Sequence, residues 1–254
     1  MARVVLTQPI PRITGIATLL RERGHQVLEW PVARLTPDPP PDLRSRIESS
    51  DWVIVVSPGA LAVLFDALAD HWAGKAGLAL IGPGSRAELE RRSLARRPAA
   101  LRWPDGPPWD AAALMAREPF DRPGGLRCLV ARGESGREDW IDRLRQRGAH
   151  VDLLSLYRRS PVEPSPLALA QLEDWRRQGQ PVCWLFTQAS ALGHCSARLG
   201  QAFFAGRAAV DRALVIHPRI EAAARQAGFR QVILIEPGTE ALASALESAL
   251  AGND

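Results

Sequence analysis

The feature that most constrains this chain is that it is written twice. Residues 4 to 35 and 128 to 159 share one layout at a constant offset of 124, with Arg23-Gly24 falling on Arg147-Gly148, Leu20 on Leu144, Val27 on Val151, Arg34 on Arg158 and Pro37 on Pro161. Each copy reads as an apolar strand, a polar loop, a helix stopped by Arg-Gly and a second strand. A second pair follows. Residues 51 to 61 (DWVIVVSPGAL) match 181 to 192 (PVCWLFTQASAL), with Ala60-Leu61 on Ala191-Leu192, and Leu80-Ile81-Gly82-Pro83 matches Val215-Ile216-His217-Pro218. The order along the chain is A, B, A′, B′. A unit this long, repeated once, fits two similar domains and not a solenoid, whose repeats are shorter and more numerous.

The remaining segments keep the same alternation. Strands are expected over residues 3 to 7, 26 to 35, 51 to 56, 78 to 81, 101 to 103, 128 to 130, 151 to 157, 182 to 186, 213 to 216 and 232 to 235. Helices follow nearly every one of them, and another closes the chain. Residues 132 to 137 read as a turn. Wholly apolar strands such as 51 to 56 are those of a parallel sheet covered on both faces. The fold class is therefore α/β, with two similar parallel-sheet domains.

Proline clusters at 37 to 41 and 161 to 166 mark two stiff crossings, near 32–41 and 156–166. The simplest path lets the chain leave the first domain near residue 36 and return near 165. Residues 1–35 plus 165–254 then form a discontinuous first domain, and 36–164 the second. Two linkers side by side make a hinge, and ligands of open α/β sheets bind beyond the carboxyl ends of the strands, so a site facing the gap between the domains is expected.

Composition narrows the chemistry. No apolar run reaches the roughly 20 residues that span a bilayer, and the N-terminus runs straight into a strand without a signal-peptide layout. Three cysteines at unrelated spacings (Cys128, Cys183, Cys195) fit a reducing cytoplasm rather than a disulfide framework. The formal charge is +4 and Lys75 is the only lysine; arginine forks suit carboxylates and phosphates. No nucleic-acid reading motif accompanies them. Cys183, His194 and Cys195 lack a second ligand pair at zinc spacing, so no metal is expected. Ser57 is outside a nucleophile elbow, and Gly82-x-Gly84 lacks the rest of a dinucleotide fingerprint. The eight tryptophans, among them Trp103, Trp109, Trp140 and Trp184, read as packing residues.

The ordered set of motifs resembles the uroporphyrinogen-III synthase family. It comprises Thr7-x-Pro9, Ser57-Pro58-x-Ala60 after an apolar strand, Ile81-Gly82-x-x-Ser85, Arg132-Gly133-x-x-Gly136-Arg137, Arg-Gly-Ala at 147 to 149, and a strand ending in Tyr157-Arg158-Arg159. The resemblance covers essentially the whole chain. It implies two α/β domains joined by a two-stranded linker, and a monomeric, cytoplasmic enzyme. That enzyme would close hydroxymethylbilane, a linear tetrapyrrole bearing acetate and propionate arms, to uroporphyrinogen III with loss of water and inversion of the last ring through a spiro intermediate. No cofactor or metal is implied, and transient contact with hydroxymethylbilane synthase is left open. The reaction needs a weak acid for the departing hydroxyl, a way of positioning two chain ends, and donors for carboxylates.

The resemblance places Tyr157 as the acid, since a phenol carries a proton it can donate. Thr7, Ser57, Gly82, Ser85, Arg132, Gly133, Arg137, Thr187, Gln188, Ala189, Pro218 and Arg219 are the expected substrate-binding positions, largely through loop N–H groups. Read without it, Tyr157 is a packing residue at a strand end and the loops are ordinary α/β turns. The chain departs from the family at Gln8 (commonly arginine), Gly59 (asparagine), Gln188 (serine), His217 (glycine) and Ile220 (threonine), and main-chain donors are expected to survive these changes. The alternative is a hinged two-domain protein that captures a polycarboxylate or tetrapyrrole without turnover.

Overall fold

The computed structural model describes residues 1–207, 209–235 and 243–248. The chain opens with β1 (Arg3–Leu6), α1 (Ile13–Glu22), β2 (Gln26–Glu29) and β3 (Ala33–Pro37). Next come α2 (Leu43–Glu48), β4 (Trp52–Val55), α3 (Pro58–Ala67), β5 (Gly77–Leu80), α4 (Pro83–Glu90), β6 (Leu101–Arg102) and α5 (Ala111–Met115). The second copy of the repeat forms β7 (Arg127–Gly133), α6 (Asp139–Gln146) and β8 (His150–Pro161). The chain continues with α7 (Pro166–Arg177), β9 (Val182–Phe186), α8 (Ala189–Leu199), α9 (Gln201–Gly206), β10 (Arg212–Val215), α10 (Pro218–Gln226) and β11 (Gln231–Leu234). Residues 243 to 248 are helical; the flanks of the expected closing helix lie outside the described residues.

The chain divides into two compact units, Met1–Arg34 with Ser160–Asp254, and Leu35–Arg159. The first holds a five-stranded sheet ordered β11-β10-β9-β1-β2, and the second sheet is ordered β3-β8-β7-β4-β5-β6. The repeat explains the match: β2 corresponds to β8, β1 to β7, β9 to β4, β10 to β5 and β11 to β6, so the two sheets share one strand order. Pairing within the equivalent strands is parallel throughout. β3 is the exception. The bonds Asp38 N–H to Leu156 O and Val162 N–H to Val32 O set it antiparallel to β8.

Burial follows from that order. Along β9, Val182, Trp184 and Phe186 enter one core and Cys183 and Leu185 the other. Along β4, Val53 and Val55 face one core while Trp52 and Ile54 face the opposite one. Alternate residues of a central parallel strand thus fill two layers. Helix α1 covers one face of its sheet with Ile13, Ile16, Ala17 and Leu20, whereas α8 and α10 cover the other with Ala191, Leu192, Cys195, Ile220 and Ala224. In the second unit α6 and α3 take opposite faces in the same way. Each sheet therefore has a switch point, β1/β9 and β7/β4, where helices leave in opposite directions.

The two Arg-Gly pairs of the repeat end α1 and α6. Gly24 (φ 81°) and Gly148 (φ 89°) adopt the left-handed conformation that stops a helix and that a side chain resists.

Several boundaries differ from the sequence-based expectation. The strand expected over 26 to 35 is broken at Trp30-Pro31: Trp30 N–H closes the β1 ladder on Leu6 O, Pro31 has no N–H to continue it, and β3 pairs in the other sheet. The short helices α2 and α9 were not anticipated. Arg132 and Gly133 belong to β7 and not to the turn after it, because the strand pairs with β8 up to Gly133–Tyr157.

One polar group anchors the first core. Asp211 is 2% exposed and accepts from Val182 N (3.2 Å), Trp184 Nε1 (3.4 Å) and the Arg207 guanidinium (2.8 Å). Trp184 in turn meets Phe204 edge-on at 5.1 Å. Replacing Asp211 with alanine leaves Val182 N–H and Trp184 Nε1 without an acceptor and removes the counter-charge of the largely covered Arg207, which keeps only Gln180 O. The variant is expected to lose about 3–5 kcal/mol of stability, read as a lower urea midpoint of the unit followed by near-UV circular dichroism.

Candidate active site

The carboxyl ends of the strands and the loops and first helical turns that follow them carry all the expected site residues, seven in the second unit and six in the first.

In the second unit the residues converge on Tyr157. Between Arg132 and Gly133 the β7–β8 register slips: Arg132 pairs with Ser155 and Gly133 with Tyr157, so Leu156 is the extra residue of a bulge. The bulge sets the Tyr157 ring directly on Gly133. A Cβ built on Gly133 would lie 2.6 Å from Tyr157 Cε2 and 2.8 Å from its Cζ, so only glycine leaves room. Ser57 faces the same ring from the end of β4, with its Oγ 3.4 Å from the Tyr157 hydroxyl. Ser57 is also the N-cap of α3, accepting from Ala60 N at 3.1 Å. Gly59 sits below Leu35, and a Cβ there would meet Leu35 Cδ1 at 2.9 Å. The loop that caps α4 lies alongside: a Cβ on Gly84 would be 3.1 Å from Pro58 Cγ. Ser57, Gly82, Gly133 and Tyr157 thus belong to one neighbourhood. Ser85 is 2% exposed and its N–H is bonded to Gly82 O, so it shapes the loop from inside.

The two arginines of the signature are both engaged within their own segment. Arg132 is 5% exposed, and its guanidinium binds Gly133 O (3.3 Å), Gly136 O (3.2 Å) and Glu138 (3.0 Å). It clamps its own loop. Arg137 is exposed and engaged by both oxygens of Asp139. Neither is an uncommitted cation. Glu138, which completes the clamp six residues from Arg132, has no signature in sequence spacing.

In the first unit, Thr7 is fully buried at the end of β1 and its Oγ1 donates to Leu185 O at 2.7 Å, tying β1 to β9. Its hydroxyl is therefore spoken for. Gln8, which the offset of 124 places on Arg132, is 8% exposed with its Oε1 buried and unbonded. Gln188 is the N-cap of α8 without a side-chain cap bond, flanked by half-buried Thr187 and exposed Ala189. His217 caps α10, its Nδ1 accepting from Arg219 N at 3.0 Å. Ile220 is 5% exposed in the core and touches no site.

The pool of main-chain donors is smaller than the sequence suggested. Proline at the start of α3, α4 and α10 removes one N–H from each loop, so Pro218 donates nothing. Ala60, Ser85 and Arg219 spend theirs on Ser57 Oγ, Gly82 O and His217 Nδ1. Gly59 and Gly84 keep N–H groups with no partner among the described residues. These are the donors best placed to meet an anion.

Covalent catalysis through sulfur has no support. All three cysteines are buried, and burial pushes Cys128 and Cys195 up to about 12 and Cys183 to about 11. Among the described residues no three His, Cys, Asp or Glu side chains gather in a metal-binding group, and no helix is long and apolar enough to cross a membrane.

The family model described as Uroporphyrinogen-III synthase HemD matches residues 15–244. The chain belongs to the uroporphyrinogen-III synthase family. It is accordingly an enzyme, a lyase of haem and tetrapyrrole biosynthesis. Solved structures agree in fold. A mutant uroporphyrinogen III synthase from the extremely thermophilic bacterium Thermus thermophilus is 17% identical over 100% of both chains with a TM-score of 0.62. The uroporphyrinogen-III synthetase of Helicobacter pylori is 14% identical over 100% of both, with a TM-score of 0.58. At such identity these structures speak for the synthase fold alone.

Two outcomes are expected. Gly133→Ala drives the Tyr157 ring from its seat, costs about 1–3 kcal/mol through overpacking, and lowers product formation at least as far as Tyr157→Phe; a wild-type rate would show that the seat is irrelevant to the reaction. Iodoacetamide at pH 8 leaves the three thiols of the native enzyme unlabelled by mass spectrometry, whereas all three react once guanidinium unfolds it.

Proposed function

We propose that the enzyme closes hydroxymethylbilane to uroporphyrinogen III, with loss of water and inversion of the last ring. The observation that carries the chemical part of this reading is the Tyr157–Ser57 pair seated on Gly133 at the switch point of the second sheet. The phenol supplies the proton that leaves with the hydroxyl as water, and Ser57 holds the phenol in line. The carbon left electron-poor is attacked by the far end of the same molecule, and the proton shed when the ring closes returns to the phenolate, so the protein's larger task is to hold both ends within reach. Carboxylate arms are met by the N–H groups of Gly59 and Gly84 and their neighbours, which bind without demanding one fixed cation. Arg132 and Arg137 act through the loop they shape. Free buried thiols agree with a reducing compartment, and we place the enzyme in the cytoplasm.

The deciding measurement is a coupled assay with porphobilinogen and hydroxymethylbilane synthase, resolving the product isomers. Type III product is expected, and type I alone would sink the reading. Tyr157→Phe is expected to lower the rate by about 10²-fold, the low end for a general acid, because water also protonates a departing hydroxyl. Ser57→Ala removes a helix cap worth about 1 kcal/mol and is expected to cost less rate than Tyr157→Phe.

A further inference from the structure

The crossover from α4 to β6 encloses a cavity of about 280 Å³ whose lining includes Arg86, Glu90, Leu94, Arg97, Leu101 and Trp103. It lies wholly within the second unit and shares no residue with the Tyr157 neighbourhood. Its lining runs from the first turns of α4 through the crossover to the end of β6. Arg86 is four residues past the Gly82 cap, and Trp103 follows the last β5–β6 pair, Ala79–Arg102, at the carboxyl end of β6.

The charges of this crossover are unequally spent. Arg92 is held by Asp66, Asp70 and Glu88, Arg91 by Glu88, and Arg96 by Gly74 O. Arg97 is exposed and has no partner among the described residues. Arg86 gives only its Nε to Glu90 (2.7 Å) while its guanidinium rests 4.8 Å from the Trp103 ring centroid, so its terminal nitrogens remain open. Two arginines with donors to spare thus flank a floor of Leu94, Pro98, Leu101 and the half-buried Trp103. Trp103 and Trp109 are the two tryptophans that are not buried; the other six sit in the cores.

We propose that this cavity is a binding subsite for a single pyrrole bearing carboxylate arms. One carboxylate pairs with the open nitrogens of Arg86, the other with Arg97, and the ring covers the apolar floor. The cavity is at the small end for ligand sites, which suits one ring and not a whole tetrapyrrole. The inference deepens the proposed reaction, since such a ring is the repeating unit of that substrate, and it rests on that reading for the ligand's identity. Glu90 opposes it, being the one carboxylate in the lining.

Calorimetric titration of the full-length protein with porphobilinogen, a monopyrrole with acetate and propionate arms, tests the proposal. Arg86→Ala and Arg97→Ala are each expected to weaken binding about tenfold, and the double variant to abolish it. Glu90→Gln removes the competing carboxylate and is expected to tighten binding. Arg97 is exposed, with no partner among the described residues, so its loss leaves the fold intact and its result can be read directly. Binding unchanged in the arginine variants, or equally tight binding of inorganic phosphate, would overturn the assignment. Wild-type protein that binds porphobilinogen through these residues yet yields no type III product would overturn the reaction and leave the subsite standing. Product without such binding would do the reverse.

Discussion

Each sheet of this protein is closed by strands that lie far apart in the chain. β1 pairs with β9, Val4 opposite Cys183, and β4 pairs with β7, Trp52 opposite Cys128. Those two pairings create the switch points, and the switch points decide where polar loops can be exposed without uncovering a core. Thr7 shows the coupling most directly, because its buried hydroxyl fastens the end of β1 to Leu185 of β9. Non-local parallel pairing must be won against loop-closure entropy. The doubly buried strands, with Trp184 and Phe186 on one side and Cys183 and Leu185 on the other, provide the apolar burial that offsets it.

Within that frame the site depends on an absence of volume. A side chain at residue 133 would take the place into which the β7–β8 bulge aims the Tyr157 ring. Because it carries none, the ring settles against the strand and its hydroxyl comes level with Ser57. Arg132, one position earlier, keeps the loop beyond Gly133 from collapsing by bonding two of its carbonyls, and Glu138 neutralises it. A buried guanidinium committed in this way is a structural part, and such a group is costly to redirect toward a ligand.

Much of this was legible in the residues. The repeat at 124 specified which strands are equivalent, and apolar runs such as Val53 to Val55 announced a parallel sheet covered on both faces. Tyr157 stood out through the motif at the end of its strand. What could not be read was whatever depends on partners that spacing does not reveal. The arginines of the 132–137 segment looked like ligand cations because nothing in their pattern marked Glu138 and Asp139 as their partners. Thr7 looked available because its acceptor is 178 residues away. The broken strand at Pro31 was missed for a different reason: its halves are both good strands, and only the second sheet explains why the chain should change partners there.

Duplication also explains why the two units are unlike at equivalent positions. Three pairs align by the offsets: Arg132 with Gln8, Ser57 with Gln188, and Gly82 with His217. In the second unit the first member clamps a loop, the second caps a helix beside Tyr157, and the third is a bare glycine. In the first unit the same places hold an amide with a buried unbonded oxygen, an N-cap without a side-chain cap bond, and an imidazole that caps its own helix. The fold requires only that each strand end in a loop and each helix find a start, and both sets satisfy it. Chemistry asks for more, namely a proton donor held in line and donors left unspent. Among the described residues only the second unit has the bulge that presents a phenol, and its glycines leave N–H groups open where the first unit's His217 takes up the N–H of Arg219. The two copies thus keep one module's shape while ending equivalent strands in different polar groups, a phenol held beside a serine in one and an imidazole turned onto its own helix in the other.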